Sequence, residues 1–283
     1  MTAFLLNLKT MQVLFLAIKH QDKYIFLRLL IIELTLTLQT ITKGFLMNHF
    51  YIVIALTLAF CSPAVIANIN LPDFTSYKDV KQKKRAFFNY MLPYVKKANQ
   101  EILAERKAVA AMNIKKLNNQ QSNRLTSLLK KYRINDKQIT KHTKKKLLKK
   151  IDVIPASLAL AQAANESAWG TSRFAKKAHN FYGQWCFTKG CGLIPKQRSA
   201  GMSHEVKKFK SPYESIKGYM LNLNSHPAFI SVRNYRAEQR KKHIKPQGVV
   251  LAKGLEKYSE RKQEYIKEII AMIRYNKLDV LDS

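Results

Sequence analysis

The chain contains little glycine and proline, with 9 and 8 of these residues among 283. Collagen-like and low-complexity chains need far more of both, so those classes are excluded. Hydrophobic residues make up 47% of the sequence, enough to bury a core, so the chain is not intrinsically disordered. Its length fits one ordinary domain with additional segments, or two small domains.

Acidic residues are also scarce. Asp and Glu total 18 against 50 Lys and Arg, which gives a net charge of +32. A field of that size attracts polyanions such as nucleic acid, anionic lipid headgroups or acidic envelope polymers. A genome-wide preference for lysine would explain the excess equally well. The lysine-rich stretch 141–150 lacks interleaved aromatic residues and any nucleic-acid-binding motif, so nucleic acid is not predicted as a partner.

Only three cysteines occur: Cys61, Cys186 and Cys191. Cys61 falls in an apolar segment that we expect to be removed. The remaining pair has no histidine at zinc-ligand spacing. In an exported protein the pair would form one small disulfide, and such a short loop stabilises the fold by roughly 2 kcal/mol.

The first 67 residues resemble an export signal more than a folded domain. From Met47 the chain runs through the apolar stretch Phe50–Phe60 to small residues ending at Ala67, as in a signal peptide with its cleavage site. We therefore predict a signal peptide at 47–67, preceded by an upstream extension of uncertain role at 1–46. The alternative is an uncleaved anchor, which would be the protein's only membrane contact. Either way the rest of the chain is predicted to lie in the periplasm or cell envelope.

Helical periodicity dominates the next part of the chain. Apolar residues recur at three- and four-residue steps from Ser76 to about Leu117, and Pro93 inside this pattern predicts a kink or two helices. Segments 122–132 and 137–151 continue as short basic helices. We interpret 68–150 as a basic helical lead-in to a domain at 151–278.

One carboxylate stands out in that domain. Pro155 opens an Ala- and Leu-rich helix that is apolar nearly all round, and Glu166 lies near its end, with Gly170 placed to stop the helix. Apolar surroundings raise a carboxyl pKa, as a general acid at a glycosidic oxygen requires. The alternative is a glutamate at a helix end that reaches water.

The same segment carries a resemblance. Ala161-Gln-Ala-Ala-Asn-Glu166-Ser-Ala-Trp169-Gly170, followed by Asn180-Phe-Tyr-Gly183 and Gly218-Tyr-Met-Leu-Asn-Leu-Asn-Ser-His226, resembles the bacterial glucosaminidase domains of autolysins and flagellar wall hydrolases. Within that group it is most similar to Bax-type proteins of Gram-negative bacteria. One departure is Ala168, where glycine is usual. The resemblance covers about 150–278.

This resemblance implies a mainly α (α+β) fold: a lysozyme-like helical domain with a small irregular β-lobe. It also implies cleavage of β-1,4 bonds at N-acetylglucosamine in peptidoglycan, with Glu166 as proton donor. The partner would be the glycan strands of peptidoglycan, with acidic envelope polymers as a further possibility.

A second catalytic group is less clear from the sequence. Between Cys191 and Phe209 the chain lacks helical periodicity and is typical of an irregular loop and hairpin, where Glu205 is the sole carboxylate. It is our candidate for the second acid, with a solvated strand glutamate as the alternative. An acetamido group of the substrate could also take the place of a protein nucleophile.

Aromatic side chains are the predicted sugar-binding residues, because sugar rings stack on aromatic planes and phenol hydroxyls reach their polar edges. The candidates are Trp169, Tyr182, Trp185, Tyr219 and Tyr258. Tyr219 lies on a helix that is predicted to begin at Ser211 with Pro212 in its first turn. By default, helical tyrosines pack in cores.

No cofactor or metal is predicted, because the histidines share no ligand spacing with one another or with the cysteines. Two rival functions remain open at this point. A lytic transglycosylase would use a lone glutamate as acid and then base. An inactive wall-binding protein would keep the fold without the chemistry.

Overall fold

The computed structural model describes Ile31 and residues 71–196, 198 and 201–282. The chain divides into two compact units, Met1–Ala67 and Asn68–Ser283, and every element below belongs to the second. The predicted extension and signal peptide lie outside the described residues, apart from Ile31. Among the residues described, no helix combines the length and the apolar character needed to cross a membrane.

The second unit is mainly helical. Its α-helices are α1 (Val80–Ala111), α2 (Asn119–Lys131), α3 (Lys141–Lys150), α4 (Ala156–Glu166), α5 (Arg173–Ala178), α6 (Pro212–Ser225), α7 (Ile230–Lys241), α8 (Gly248–Ala252) and α9 (Lys262–Tyr275). Short 3₁₀ helices cover Pro227–Phe229 and Leu278–Asp282. With the small sheet described below, this architecture confirms the predicted mainly helical, lysozyme-like fold.

Helix α1 is a single helix of 32 residues that passes through Pro93. It does not split into two helices there, as one alternative predicted. A proline removes one backbone hydrogen bond from a helix interior. Burial of Phe87, Met91 and Val95 along one face of α1 offsets that loss, since each is fully covered by its neighbours.

The predicted lead-in packs against the predicted domain. Phe87, Met91 and Val95 of α1 belong to the same hydrophobic core as α4, and α1 contacts α4 and α6 directly. A second, smaller core lies where the end of α1 meets α2 and α3. Its buried residues are Val109, Met112, Leu125, Leu128, Leu129, Tyr132, Ile134, Leu147 and Ile151.

Helix α4 lies at the centre of the larger core, and residues 156–164 are all buried. Pro155 precedes it without a side-chain cap, so its first backbone N–H groups need another partner. Asp282 provides one: its carboxylate accepts hydrogen bonds from Ser157 N at 3.0 Å and Ser157 Oγ at 2.6 Å. The same carboxylate accepts from Gly248 N at 2.8 Å, so it also fixes the start of α8.

A buried charge cluster fixes the chain just before α4. Asp152 is only 3% exposed and accepts hydrogen bonds from Arg240 Nη2 at 2.8 Å and Nε at 3.1 Å. Arg236 and Arg106 lie 3.9 Å from the same carboxylate. Since Arg236 and Arg240 are on α7 and Arg106 is on α1, one aspartate joins both helices to the segment that leads into α4.

The β-lobe is a three-stranded antiparallel sheet of order β1-β3-β2, formed by β1 (Trp185–Cys186), β2 (Gly192–Leu193) and β3 (Glu205–Lys207). Gly192 lies opposite Lys207, and a Cβ there would come within 2.0 Å of the Val206 carbonyl oxygen. Only glycine allows this close approach. The disulfide predicted from the sequence is present and joins Cys186 to Cys191.

Candidate active site

Glu166 is the last residue of α4 and is half-buried. After it the backbone enters a left-handed turn, with φ of +49° at Ala168, +59° at Trp169 and +78° at Gly170. A Cβ at Gly170 would meet the Phe74 ring at 2.5 Å, so glycine is required there by space as well as by conformation. The turn ends α4 at Glu166 and leaves the carboxylate at the helix terminus.

Ala168 is the position at which this chain departs from the glycine usual in the glucosaminidase pattern, and the structure gives the departure a physical meaning. Its side chain is exposed, but its left-handed backbone is unfavourable for any residue with a Cβ. We expect Ala168→Gly to raise the free energy of unfolding by roughly 1 kcal/mol, measured by chemical denaturation.

Ala104→Gly is the matched control for this substitution, because Ala104 is also exposed but lies in the interior of the regular helix α1. There the change should destabilise the protein by about 1 kcal/mol. Equal destabilisation at the two positions would show that the turn at Ala168 is not strained.

A chain of buried hydrogen bonds reaches Glu166 from inside the protein. Tyr219 Oη donates to Gln162 Oε1 at 2.6 Å, and Gln162 Nε2 donates to Tyr265 Oη at 2.9 Å. Tyr265 Oη in turn donates to Glu166 Oε1 at 2.8 Å. Because the amide of Gln162 supplies the hydrogen that Tyr265 accepts, the phenol proton of Tyr265 is left to point at Glu166.

Burial raises the pKa of Glu166 above its ordinary value, and the hydrogen bond from Tyr265 opposes the rise without cancelling it. Since Oε1 accepts from Tyr265, a proton on this carboxyl belongs on Oε2. That oxygen is 3.7 Å from the position of a Cβ on Gly183, which is an exposed residue. Oε2 of Glu166 therefore lies towards the surface of the molecule.

The three predicted sugar-binding tyrosines lie around this hydrogen-bond chain. The Tyr182 ring stacks on Tyr219 at 3.9 Å, and the Tyr258 ring stacks on Tyr265 at 5.4 Å. Tyr258 Oη donates to the Tyr182 carbonyl at 3.2 Å. Tyr182 and Tyr219 are both buried. Their rings therefore pack inside the protein near Glu166 and do not present an exposed face on which a sugar ring could stack.

The two tryptophans lie elsewhere. Trp169 packs edge-on against Phe87 and Phe88 of α1, with Lys84 Nζ 4.9 Å from the centre of its ring. Trp185, on β1, is 53% exposed and stacks on His204 at 3.8 Å. Of the five predicted sugar-binding residues, Trp185 offers the most open aromatic surface.

Glu205 is buried in the β-lobe, and both of its oxygens are occupied. They accept hydrogen bonds from Gly190 N at 2.9 Å and Gly192 N at 2.7 Å, and these two bonds lower the pKa of Glu205. The carboxylate lies within 4.8 Å of the sulfur atoms of Cys186 and Cys191. Those sulfurs are bonded to each other, so this group, which is the one metal-like cluster in the described part of the chain, is not a metal site.

Comparison with known proteins places this arrangement in a family. Residues 141–278 match the sequence profile of the glucosaminidase family, described as mannosyl-glycoprotein endo-β-N-acetylglucosaminidase. The chain is also 31% identical over 212 residues to "Protein bax" of Escherichia coli (strain K12), which covers 73% of this chain and 74% of that protein. The chain belongs to the Bax-type family of glucosaminidase-domain proteins. No solved structure matched it significantly.

Membership in this family implies peptidoglycan-related glycosidase activity and a glycan substrate. The matched part of the glucosaminidase domain contains Glu166, Gln162 and Tyr265, but it leaves out α1, which shares the core of the domain. Sequence reasoning assigned no role to Gln162 or Tyr265. Tyr265 is a buried residue of α9, and no local pattern in the sequence indicates that it meets Glu166, which is 99 residues away.

Replacing Tyr265 by phenylalanine tests the link to Glu166 in this domain. Loss of the hydrogen bond removes an effect that lowers the pKa of Glu166, so that pKa should rise further. A general acid must be protonated, and activity falls as pH rises through its pKa. We therefore expect the alkaline limb of the kcat/KM profile to move to higher pH, with kcat about tenfold lower because the carboxyl is less firmly held.

Tyr235→Phe is the control for Tyr265→Phe, since Tyr235 is a partly exposed tyrosine on α7, away from Glu166. Its pH profile should match that of the wild type. An alkaline limb that stays in place in Tyr265→Phe, or moves to lower pH, would mean that Glu166 is not the titrating acid.

Proposed function

We propose that this protein is an endo-β-N-acetylglucosaminidase that hydrolyses β-1,4 bonds at N-acetylglucosamine in peptidoglycan, with Glu166 as general acid. The observation that carries the proposal is the half-buried carboxyl of Glu166, whose pKa burial raises, with Oε1 held by Tyr265 and Oε2 beside the exposed Gly183. A raised pKa keeps the proton on this carboxyl to higher pH than on an ordinary glutamate, and that proton can pass to a glycosidic oxygen.

Glu166 would act first as acid and then as base. Its Oε2 proton passes to the oxygen of the leaving sugar as the glycosidic bond breaks, and the resulting carboxylate is stabilised by the Tyr265 hydroxyl. That carboxylate can then remove a proton from the attacking water. Trp185, exposed at the edge of the β-lobe, is our candidate for the sugar-stacking platform.

The contacts of Glu205 favour a structural role for this residue over a catalytic one. Its two oxygens already accept two backbone N–H groups that close the loop between β1 and β2. These two bonds stabilise the charge and lower the pKa of Glu205, which makes its carboxylate a weaker nucleophile. We propose that Glu205 and the disulfide hold the β-lobe in shape and that the acetamido group of the substrate assists the departure of the leaving sugar.

The same observation favours a second candidate function. If Glu166 is the only free carboxyl at the site, it could act as acid and base without water, as in a lytic transglycosylase that closes an anhydro sugar. Both functions place the protein in the cell envelope, which agrees with the disulfide and with the predicted signal peptide.

Mass spectrometry of the soluble products from purified peptidoglycan separates these functions. New reducing ends at N-acetylglucosamine are expected for the glucosaminidase. Anhydro-muramyl ends would assign the protein to the transglycosylases. Binding to peptidoglycan without any cleavage would contradict both and leave a wall-binding protein.

A further inference from the structure

A cavity of about 670 Å³ opens beside the β-lobe and is separate from the surroundings of Glu166. One wall is formed by α1 and the end of α2, and the other by α6 and the segment Lys207–Lys210 that follows β3. Its volume is that of a site for a small molecule or a short peptide. Phe209, which is buried, supplies apolar surface between the two walls.

The two walls of this cavity differ in charge. Glu101 and Glu105 lie on the α1 side, where Glu105 already pairs with Lys131 at 2.8 Å and accepts from Tyr132 Oη at 2.6 Å. On the opposite side, Lys208 and Lys210 are exposed, and no acid within the described ranges pairs with either of them. Glu214 also lies on this side, but it pairs with Lys217 at 3.0 Å. Apart from these two ion pairs, the cavity offers the ammonium groups of Lys208 and Lys210 on one side and the carboxylate of Glu101 on the other.

This charge arrangement selects a class of ligand. A polyanion such as nucleic acid would meet Glu101 and Glu105 as well as the lysines, so like charges would oppose its entry. A small ligand with carboxylates at one end and an amino group at the other matches both walls. Short peptides with free side-chain and terminal carboxylates have this character.

The cavity is also close to the proposed site of cleavage. A Cβ on Gly218, which lines the cavity, would come within 2.8 Å of Gln184 Nε2, and Lys207 N donates to the Gln184 carbonyl at 2.8 Å. The preceding residue, Gly183, faces Oε2 of Glu166. The cavity and the carboxyl therefore lie on two sides of the short segment Gly183–Gln184.

We propose that this cavity binds the peptide side chains of the glycan strand whose sugar backbone lies at Glu166. The inference rests on the proposed function, since peptidoglycan is the glycan that carries such peptides. Lys208 and Lys210 bind peptide carboxylates, and Glu101 binds a peptide amino group. The enzyme would thus distinguish peptide-bearing strands from bare ones.

Binding of a soluble stem peptide, prepared by amidase release from peptidoglycan and measured by calorimetry at low salt, tests the proposal without any need for catalysis. The double variant Lys208→Gln/Lys210→Gln should bind the peptide about tenfold more weakly than the wild type, because two charge-assisted contacts are lost. Lys115→Gln/Lys116→Gln is the matched control: it removes the same charge from the loop after α1, outside the cavity, and should bind as the wild type does.

Cleavage assays add a second readout. The cavity variant should show a KM raised several-fold on peptide-bearing strands and an unchanged KM on strands from which an amidase has removed the peptides. Wild-type peptide binding that is absent, or equal in all three proteins, would overturn the proposal whatever the cleavage result. Peptide binding with the expected loss in the variant, but no cleavage by the wild type, would instead count against the proposed hydrolase.

Discussion

Replacing Glu166 by glutamine is expected to slow glycan cleavage by about 10²- to 10⁴-fold, the usual contribution of a positioned general acid. The amide keeps the size of the side chain and can still accept from Tyr265, but it has no acidic proton to give. Folding should be unaffected, since glutamine at the end of α4 keeps the hydrogen bond from Tyr265. Release of soluble fragments from peptidoglycan measures the effect, and circular dichroism checks the fold.

Glu238→Gln is the matched control, because it is the same substitution at an exposed α7 residue that pairs with Lys241 at the surface. Its activity should equal that of the wild type. Should Glu166→Gln retain more than a tenth of the activity, the acid would have to be sought elsewhere and the proposed mechanism abandoned.

The largest expected effect on stability comes from Asp152→Asn. Burial alone would raise the pKa of Asp152, but the hydrogen bonds from Arg240 and the charges of Arg236 and Arg106 outweigh burial and lower it. Removing the negative charge leaves buried Arg236 without its counter-ion, which typically costs roughly 3–5 kcal/mol. Urea denaturation at neutral pH should show the loss.

The pH dependence follows from the same pKa shift. Because folding lowers the pKa of Asp152 from its ordinary 3.8, its contribution to the free energy of unfolding is present above that value and is lost as pH falls through the lower folded pKa. The difference in stability between wild type and Asp152→Asn should therefore narrow below pH 3.8.

Asp136→Asn provides the comparison for Asp152→Asn, since Asp136 pairs with Lys146 at the surface and solvent screens that pair. It should destabilise the protein far less. Equal losses in the two variants would show that the arginines around Asp152 are satisfied without its charge.

Local patterns in the sequence were enough to predict several of the structural elements. The cap at Ser211 is confirmed, since its side chain accepts from Glu214 N at the start of α6. The disulfide between Cys186 and Cys191, which are five residues apart, is also confirmed. These features depend on residues a few positions apart, where spacing carries the information.

The surroundings of Glu166 could not be derived in this way. Gln162 meets Tyr265 across 103 residues and Tyr219 across 57, and no periodicity encodes such distances. Gln162 itself looks like a polar interruption in an apolar helix, and its partners become apparent only when α4, α6 and α9 are packed together. Tyr182 and Tyr219 were predicted to bind sugar, and their burial, which depends on the same packing, could not be foreseen from the sequence.

The hydrogen bonds between Asp282 and Ser157 have a consequence for the order in which the chain folds. They join residues 125 positions apart, and they supply the missing cap at the first turn of the helix that ends in Glu166. A chain that emerges from the ribosome or translocon from its amino end cannot form these hydrogen bonds until residue 282 has emerged. The helix would remain loosely anchored until synthesis is nearly finished, so the activity should mature only after the whole domain has been released.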